Sequence, residues 1–176
     1  MQVFVGGTWK SEKAEPYREE GHLLGQRIAE AGLDLACGPG TGIARHVVDG
    51  YRMASPRGKV RFYLPLKSEM ELVGEPVEDG ADELIWTEYD YVMRNVWQIK
   101  QCCGLFVLTG GDGALEEILA AVIDYKIPVA IVENAGSAAQ AMRALIEIYP
   151  DWNEFVAFGS DVEHAVQPWL DAVLSR

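Results

Sequence analysis

The chain has 176 residues, 49% of them apolar, which is ample for one domain with a single hydrophobic core. Fifteen Lys and Arg stand against twenty-seven Asp and Glu, and the resulting charge of −12 repels nucleic acid and anionic membranes, so neither is expected as a partner. No window approaches roughly eighteen uncharged apolar residues. The start Met-Gln-Val-Phe-Val-Gly-Gly lacks the basic and apolar regions of a secretory leader, so a cytoplasmic protein is expected.

In chain order, Gln2 to Val5 reads as a strand and runs into Gly6-Gly7-Thr8. Pro16–Ala31 is predicted helical, with Leu24, Ile28 and Ala31 on one face and Gly32 suited to end it. Leu33 to Ala36 is the second strand, followed by Cys37-Gly38-Pro39-Gly40-Thr41-Gly42 and a helix over Gly42–Met53. Val60 to Leu64 is the third strand. The polar, proline-containing stretch Lys67 to Asp82 reads as a loop that could rim a site. Glu83 to Trp86 is the fourth strand, and Thr87 with Asp90 three residues on resembles a cap for a helix over Tyr89–Cys102. Leu105 to Leu108 precedes Thr109-Gly110-Gly111-Asp112-Gly113 and a helix over Ala114–Tyr125. Val129 to Val132, a helix over Ala138–Ile148, Phe155 to Phe158 and a helix over Val162–Leu174 complete the chain. Several strands are continuously apolar, as parallel strands covered on both faces are. The alternation predicts an α/β, Rossmann-like three-layer fold with an open, mainly parallel sheet of about seven strands.

In such a sheet ligands bind beyond the carboxyl ends of the strands. The three glycine-rich loops leave those ends, so Gly6, Gly7, Thr8, Gly38, Gly40, Thr41, Gly42, Gly110, Gly111, Asp112, Gly113 and Ala114 are the candidate ligand-binding residues. Glycine lets backbone N–H groups approach an anion at a helix N-terminus, and the alternative for Gly38 to Gly42 is a tight turn with no ligand. That turn follows the second strand, so it matches the dinucleotide fingerprint poorly, and neither glycine run ends in the Gly-Lys-Ser/Thr of a P-loop. On the predicted fifth-strand helix, Leu115, Ile118, Leu119 and Val122 mark the buried face and leave Glu116 and Glu117 off it. The two carboxylates either complement the helix dipole or act chemically beside a bound anion. Val92, Val96 and Ile99 mark the apolar face of the preceding helix. A two-residue step of about 200° takes Arg94 off it, to solvent or to the crevice as an anion clamp. His22, His46 and His164 lie on separate helices, and Cys37, Cys102 and Cys103 lack metal or disulfide spacing, so no metal site is expected. Trp9, after the first glycine turn, is placed to cover a flat ligand.

These motifs together resemble the LOG-like, Rossmann-type nucleotide-binding family, long labelled lysine decarboxylase-like, which includes cytokinin-activating phosphoribohydrolases and molybdenum cofactor carrier proteins. Members carry Pro-Gly-Gly-x-Gly-Thr-x-x-Glu, where this chain has Thr109-Gly110-Gly111-Asp112-Gly113-Ala114-Leu115-Glu116-Glu117. They also carry an Arg-Lys pair on the preceding helix, here Arg94-Asn95. The resemblance implies that residues 110–113 hold a phosphate, and that Arg94 and Glu117 occupy the positions that act on an N-glycosidic bond in the hydrolase branch. Thr109, Ala114 and Asn95 depart from the pattern, and Ala114 and Asn95 remove a hydroxyl and a charge. The expected function is therefore binding of a phosphorylated, nucleotide-like ligand, a nucleoside monophosphate or molybdopterin-type cofactor. A nucleoside 5′-monophosphate phosphoribohydrolase is the alternative. The resemblance further implies a homodimer or higher homo-oligomer, with no required cofactor other than such a ligand. Lysine decarboxylation has no support, because no lysine lies in a pyridoxal-phosphate-like context.

Overall fold

A computed structural model describes residues 1–55 and 57–176. Seven strands, β1 (Gln2–Gly6), β2 (Asp34–Cys37), β3 (Val60–Leu64), β4 (Glu83–Trp86), β5 (Leu105–Val107), β6 (Val129–Val132) and β7 (Val156–Gly159), form one sheet. All pairings are parallel, in the order β4-β3-β2-β1-β5-β6-β7. The expected α/β layer fold is observed. β5 and β6 are buried along their whole length, which explains their unbroken apolar sequence. β4 lies at an edge, and its sequence alternates between half-buried and exposed positions.

The helices α1 (Ser11–Ala14), α2 (Arg18–Glu30), α3 (Ile43–Met53), α4 (Lys67–Val73), α5 (Tyr91–Lys100), α6 (Asp112–Leu119), α7 (Ser137–Ile148) and α8 (Val162–Leu174) connect and cover the strands. On one face Leu24, Ile28, Val47, Met70 and Trp169, from α2, α3, α4 and α8, pack on Val3, Val5, Leu35 and Phe62. On the other, Ile99, Ile118 and Met142, from α5, α6 and α7, pack on Phe4, Ala36, Tyr63 and Val107. The contact between α2 and α3 depends on glycine. A Cβ on Gly25 would lie 2.0 Å from the Val47 carbonyl oxygen, and one on Gly50 would lie 2.1 Å from that of His22. The helices thus meet backbone to backbone.

Of the local helix signals, Gly32 acts as expected, whereas Thr87 does not cap the helix that follows β4. Gly32 ends α2 at φ 72°. Asp90 caps α5, its carboxylate accepting from Met93 N at 2.8 Å, while Thr87 Oγ1 donates to Leu64 O and ties the end of β4 to β3. The segment expected to be a loop from Lys67 to Asp82 instead begins with the two-turn helix α4, which seats Met70 in the core and stops at Gly74 in the left-handed conformation. A helix with one buried residue carries too little apolar periodicity to be read from sequence.

Candidate functional site

The strands step outward from β1 to β4 on one side, and the chain then crosses back to place β5 on the other side of β1. Loops leaving β1 and β5 therefore diverge, which opens a crevice at their carboxyl ends. A cleft of about 570 Å³ lies there. Gly6, Gly7 and Thr8 line it from β1, Gly38 and Thr41 from β2, Gly111, Asp112, Gly113 and Ala114 from the start of α6, and Arg94 and Glu117 from α5 and α6. Gly40, Gly42 and Gly110 are not among its lining residues. Their glycines serve close packing. A Cβ would meet the Phe62 ring at Gly40, the Thr8 carbonyl at Gly42 and the Ala114 side chain at Gly110.

Two helices present their N-termini toward these loops. Neither α6, with Gly111 at its cap, nor α3, with Gly42 at its cap, carries a side-chain cap. Ile43 N of α3 is taken by Thr8 O at 3.0 Å. The first turn of α6 is built from Asp112, Gly113 and Ala114, and no side chain caps its amides, an arrangement that suits an anion.

The face of α5 toward the cleft reverses the apolar reading of the sequence. Arg94, Asn95 and Gln98 are buried beside Ile99, while Val92 is 55% exposed. Arg94 Nη1 donates to Tyr63 O at 3.3 Å and to Gln98 Oε1 at 3.0 Å, and the guanidinium lies 5.3 Å from the centre of the Tyr91 ring. Its Nε is buried without a hydrogen-bond partner among the described residues. Burial lowers the Arg94 pKa, and the negative charges of Glu117 and Glu75 oppose that shift.

Glu117 is also buried, contrary to its expected place off the core face of α6. Its Oε1 accepts from Gln98 Nε2 at 2.7 Å, so Gln98 links it to Arg94. A Cβ on Gly6 would fall 2.5 Å from Glu117 Oε2, and glycine at the end of β1 is what admits the carboxylate. Burial pushes the Glu117 pKa up to about 8, with Arg94 pulling it down and Glu116 adding to the rise. Glu116 is tied elsewhere, accepting from Asn95 Nδ2 at 2.9 Å.

A further carboxylate, Glu75, lines the same cleft and was not legible from the sequence. It accepts from Thr41 Oγ1 and Tyr91 Oη, both at 2.7 Å. Its only sequence signal was a Gly-Glu-Pro step in a polar segment, which carries no chemistry alone. Trp9 is 42% exposed at the cleft, where the sequence suggested it, with Lys10 and Lys13 beside it. The buried thiols of Cys37 and Cys102 are pushed up, the latter to about 12, so both are protonated packing groups near neutrality. Among the described residues no cluster of three His, Cys, Asp or Glu is arranged for a metal, and no helix is long and apolar enough to cross a membrane.

The fold recurs in solved structures. The molybdenum cofactor carrier protein of Chlamydomonas reinhardtii superposes with a TM-score of 0.77 at 21% identity, over 98% of this chain and 96% of that one. The protein TM1055 gives 0.75 at 23% identity, over 96% and 98%. A molybdenum cofactor binding protein from the phototrophic bacterium Rippkaea orientalis gives 0.68 at 22% identity, over 93% and 90%. At these identities the likeness is one of fold. No curated protein matches the sequence. Residues 1–152 match the SLOG cluster4 family, and the chain belongs to that family.

Proposed function

We propose that the chain binds a phosphorylated, nucleotide-like ligand in this cleft, a nucleoside monophosphate or a molybdopterin-type cofactor carried as cargo. The observation that carries the reading is Arg94, a buried cation that lines the same cleft as the uncapped N-terminus of α6. A phosphate at the α6 amides would meet the helix dipole, and the charge of an anionic ligand would offset that of the buried guanidinium. The volume suits a ligand of nucleotide size. Two of the structural neighbours are by name a molybdenum cofactor carrier and a molybdenum cofactor binding protein, which supports a carried ligand of this class. The charge of −12 argues against nucleic acid as the ligand. Exposed Leu84 and Trp86 on the edge strand β4 support a homo-oligomer.

Native mass spectrometry of the purified protein reads ligand mass and subunit number together, and calorimetry with ribose 5-phosphate, AMP and GMP reads the site directly. A retained phosphorylated ligand, or saturable binding of these probes, is expected. Protein that carries no ligand and binds none of the three at millimolar concentration overturns the reading.

Glu117 favours a second reading, hydrolysis of the N-glycosidic bond of a nucleoside 5′-monophosphate. A buried carboxyl titrating near about 8 can hold a proton for a departing base, and its ionised form can stabilise an oxocarbenium-like ribose. Base release from a nucleoside monophosphate panel that is lost in Glu117→Ala supports it. No release by the wild-type protein removes it.

A further inference from the structure

Glu75 is placed to read the body of the ligand rather than its phosphate. It follows Gly74, whose left-handed turn (φ 71°) ends α4, and its N–H donates to Met70 O at 3.1 Å. Three residues on, Glu78 N donates to Pro39 O at 2.9 Å, fastening this segment to the loop after β2. The uncapped N-terminus of α6 follows β5, on the other side of β1 in the sheet. A ligand with its phosphate at α6 and its body across the carboxyl end of β1 therefore reaches Glu75.

The chemistry of that end is specific. Glu75 is 7% exposed, lines the cleft, and forms no ion pair within 4 Å among the described residues. Each of its oxygens accepts one hydroxyl hydrogen bond, from Thr41 and from Tyr91. A carboxylate offers about four acceptor sites, so each oxygen keeps the capacity to accept a further donor. Two adjacent acceptors on a buried carboxylate match two adjacent N–H donors, and they penalise a ligand edge that presents an acceptor there.

We propose that Glu75 selects a ligand whose body carries the 2-amino-4-oxopyrimidine edge, in which a ring N–H stands beside an exocyclic amino group. Guanine and pterins share this edge, whereas adenine presents a mixed donor and acceptor edge. The proposal rests on the reading of the cleft as a phosphorylated-ligand site.

Calorimetry with ribose 5-phosphate, GMP, IMP, AMP and neopterin monophosphate tests it. Wild-type protein is expected to bind GMP or neopterin monophosphate at least roughly tenfold tighter than AMP, with IMP weakened by loss of the amino group. The GMP and neopterin arms distinguish a nucleotide from a pterin source. Glu75→Gln is expected to lose that preference while ribose 5-phosphate binding stays unchanged. Equal affinity for GMP and AMP overturns the proposal, as does a Glu75→Gln loss shared by AMP and GMP, which would assign Glu75 to the ribose hydroxyls. The wild-type GMP, IMP and AMP series decides the question even if the variant does not fold. If ribose 5-phosphate and every other probe fail to bind, the phosphate-site reading falls and takes this inference with it. If ribose 5-phosphate binds and no base preference appears, this inference alone falls.

Discussion

Glu117→Gln separates the electrostatics of the cleft from its packing. The Glu117 carboxyl is buried, and its pKa is raised from the ordinary 4.5 to about 8, chiefly by that burial. Between those two values the folded protein holds a proton that the unfolded chain has already released. Folding stability from this group is therefore fully present below about pH 4.5 and is lost as pH rises toward 8, by up to about 1.4 kcal/mol per pH unit. Over the whole window the loss reaches at most about 5 kcal/mol, with the attraction to Arg94 already contained in it. Glutamine keeps the shape, and its carbonyl can still accept from Gln98 Nε2, the bond that Glu117 Oε1 receives at 2.7 Å. It does not titrate. Burial lowers the pKa of His46, and that titration is common to both proteins, so it cancels in the difference. Urea unfolding of wild type and variant at pH 5, 6, 7 and 8 is the assay. The variant is expected to gain on wild type with each step, by roughly 1 kcal/mol per unit. Parallel pH profiles would show that Glu117 is ionised throughout, and the reasoning about a buried neutral carboxyl would fail.

Gly25→Ala places a methyl carbon 2.0 Å from Val47 O and 2.5 Å from Tyr51 N, both backbone atoms that move only if α2 and α3 part. A loss of about 3 kcal/mol is expected in urea unfolding. Gly32→Ala meets nothing within 4 Å and suffers only its positive φ, so it should cost about 1 kcal/mol and calibrate the first measurement. Asp90→Ala removes the hydrogen bond to Met93 N that starts α5 and should lower stability by about 1 kcal/mol.

Most of the strands were legible because a buried parallel strand leaves an apolar run bounded by glycine or polar residues, and all seven lie within one residue of the runs read from the sequence at either end. The site was legible only as glycine loops. Periodicity placed Arg94 and Glu117 away from the core, yet both are buried. The rule fails there for a physical reason. The faces of α5 and α6 that meet at the cleft bury polar groups against each other, so burial and apolarity part company. The exposed Val92 is the same effect seen from the other side. Glu75 could not be found because its role is set by Thr41 and Tyr91, which are 34 and 16 residues away in sequence. Gln98 offered no signal either, since a single glutamine on a helix is ordinarily solvated.

The composition of that network argues for a ligand more strongly than any single residue does. A core of this size would be as stable or more so with apolar side chains at positions 94, 98 and 117, because buried charges cost more than well-packed hydrocarbon. What stands there instead is a cation and a carboxyl joined through a neutral amide. Gln98 accepts from Arg94 and donates to Glu117, which satisfies one contact on each and neutralises neither. The pair is thereby kept apart and incomplete, with Arg94 Nε unpartnered and the pKa of Glu117 raised. A direct Arg–Glu ion pair would have been the stable resting arrangement. With the amide between them, both groups line the cleft into which the uncapped N-terminus of α6 opens. This arrangement supports the anionic ligand proposed for the cleft, whose charge would offset that of Arg94.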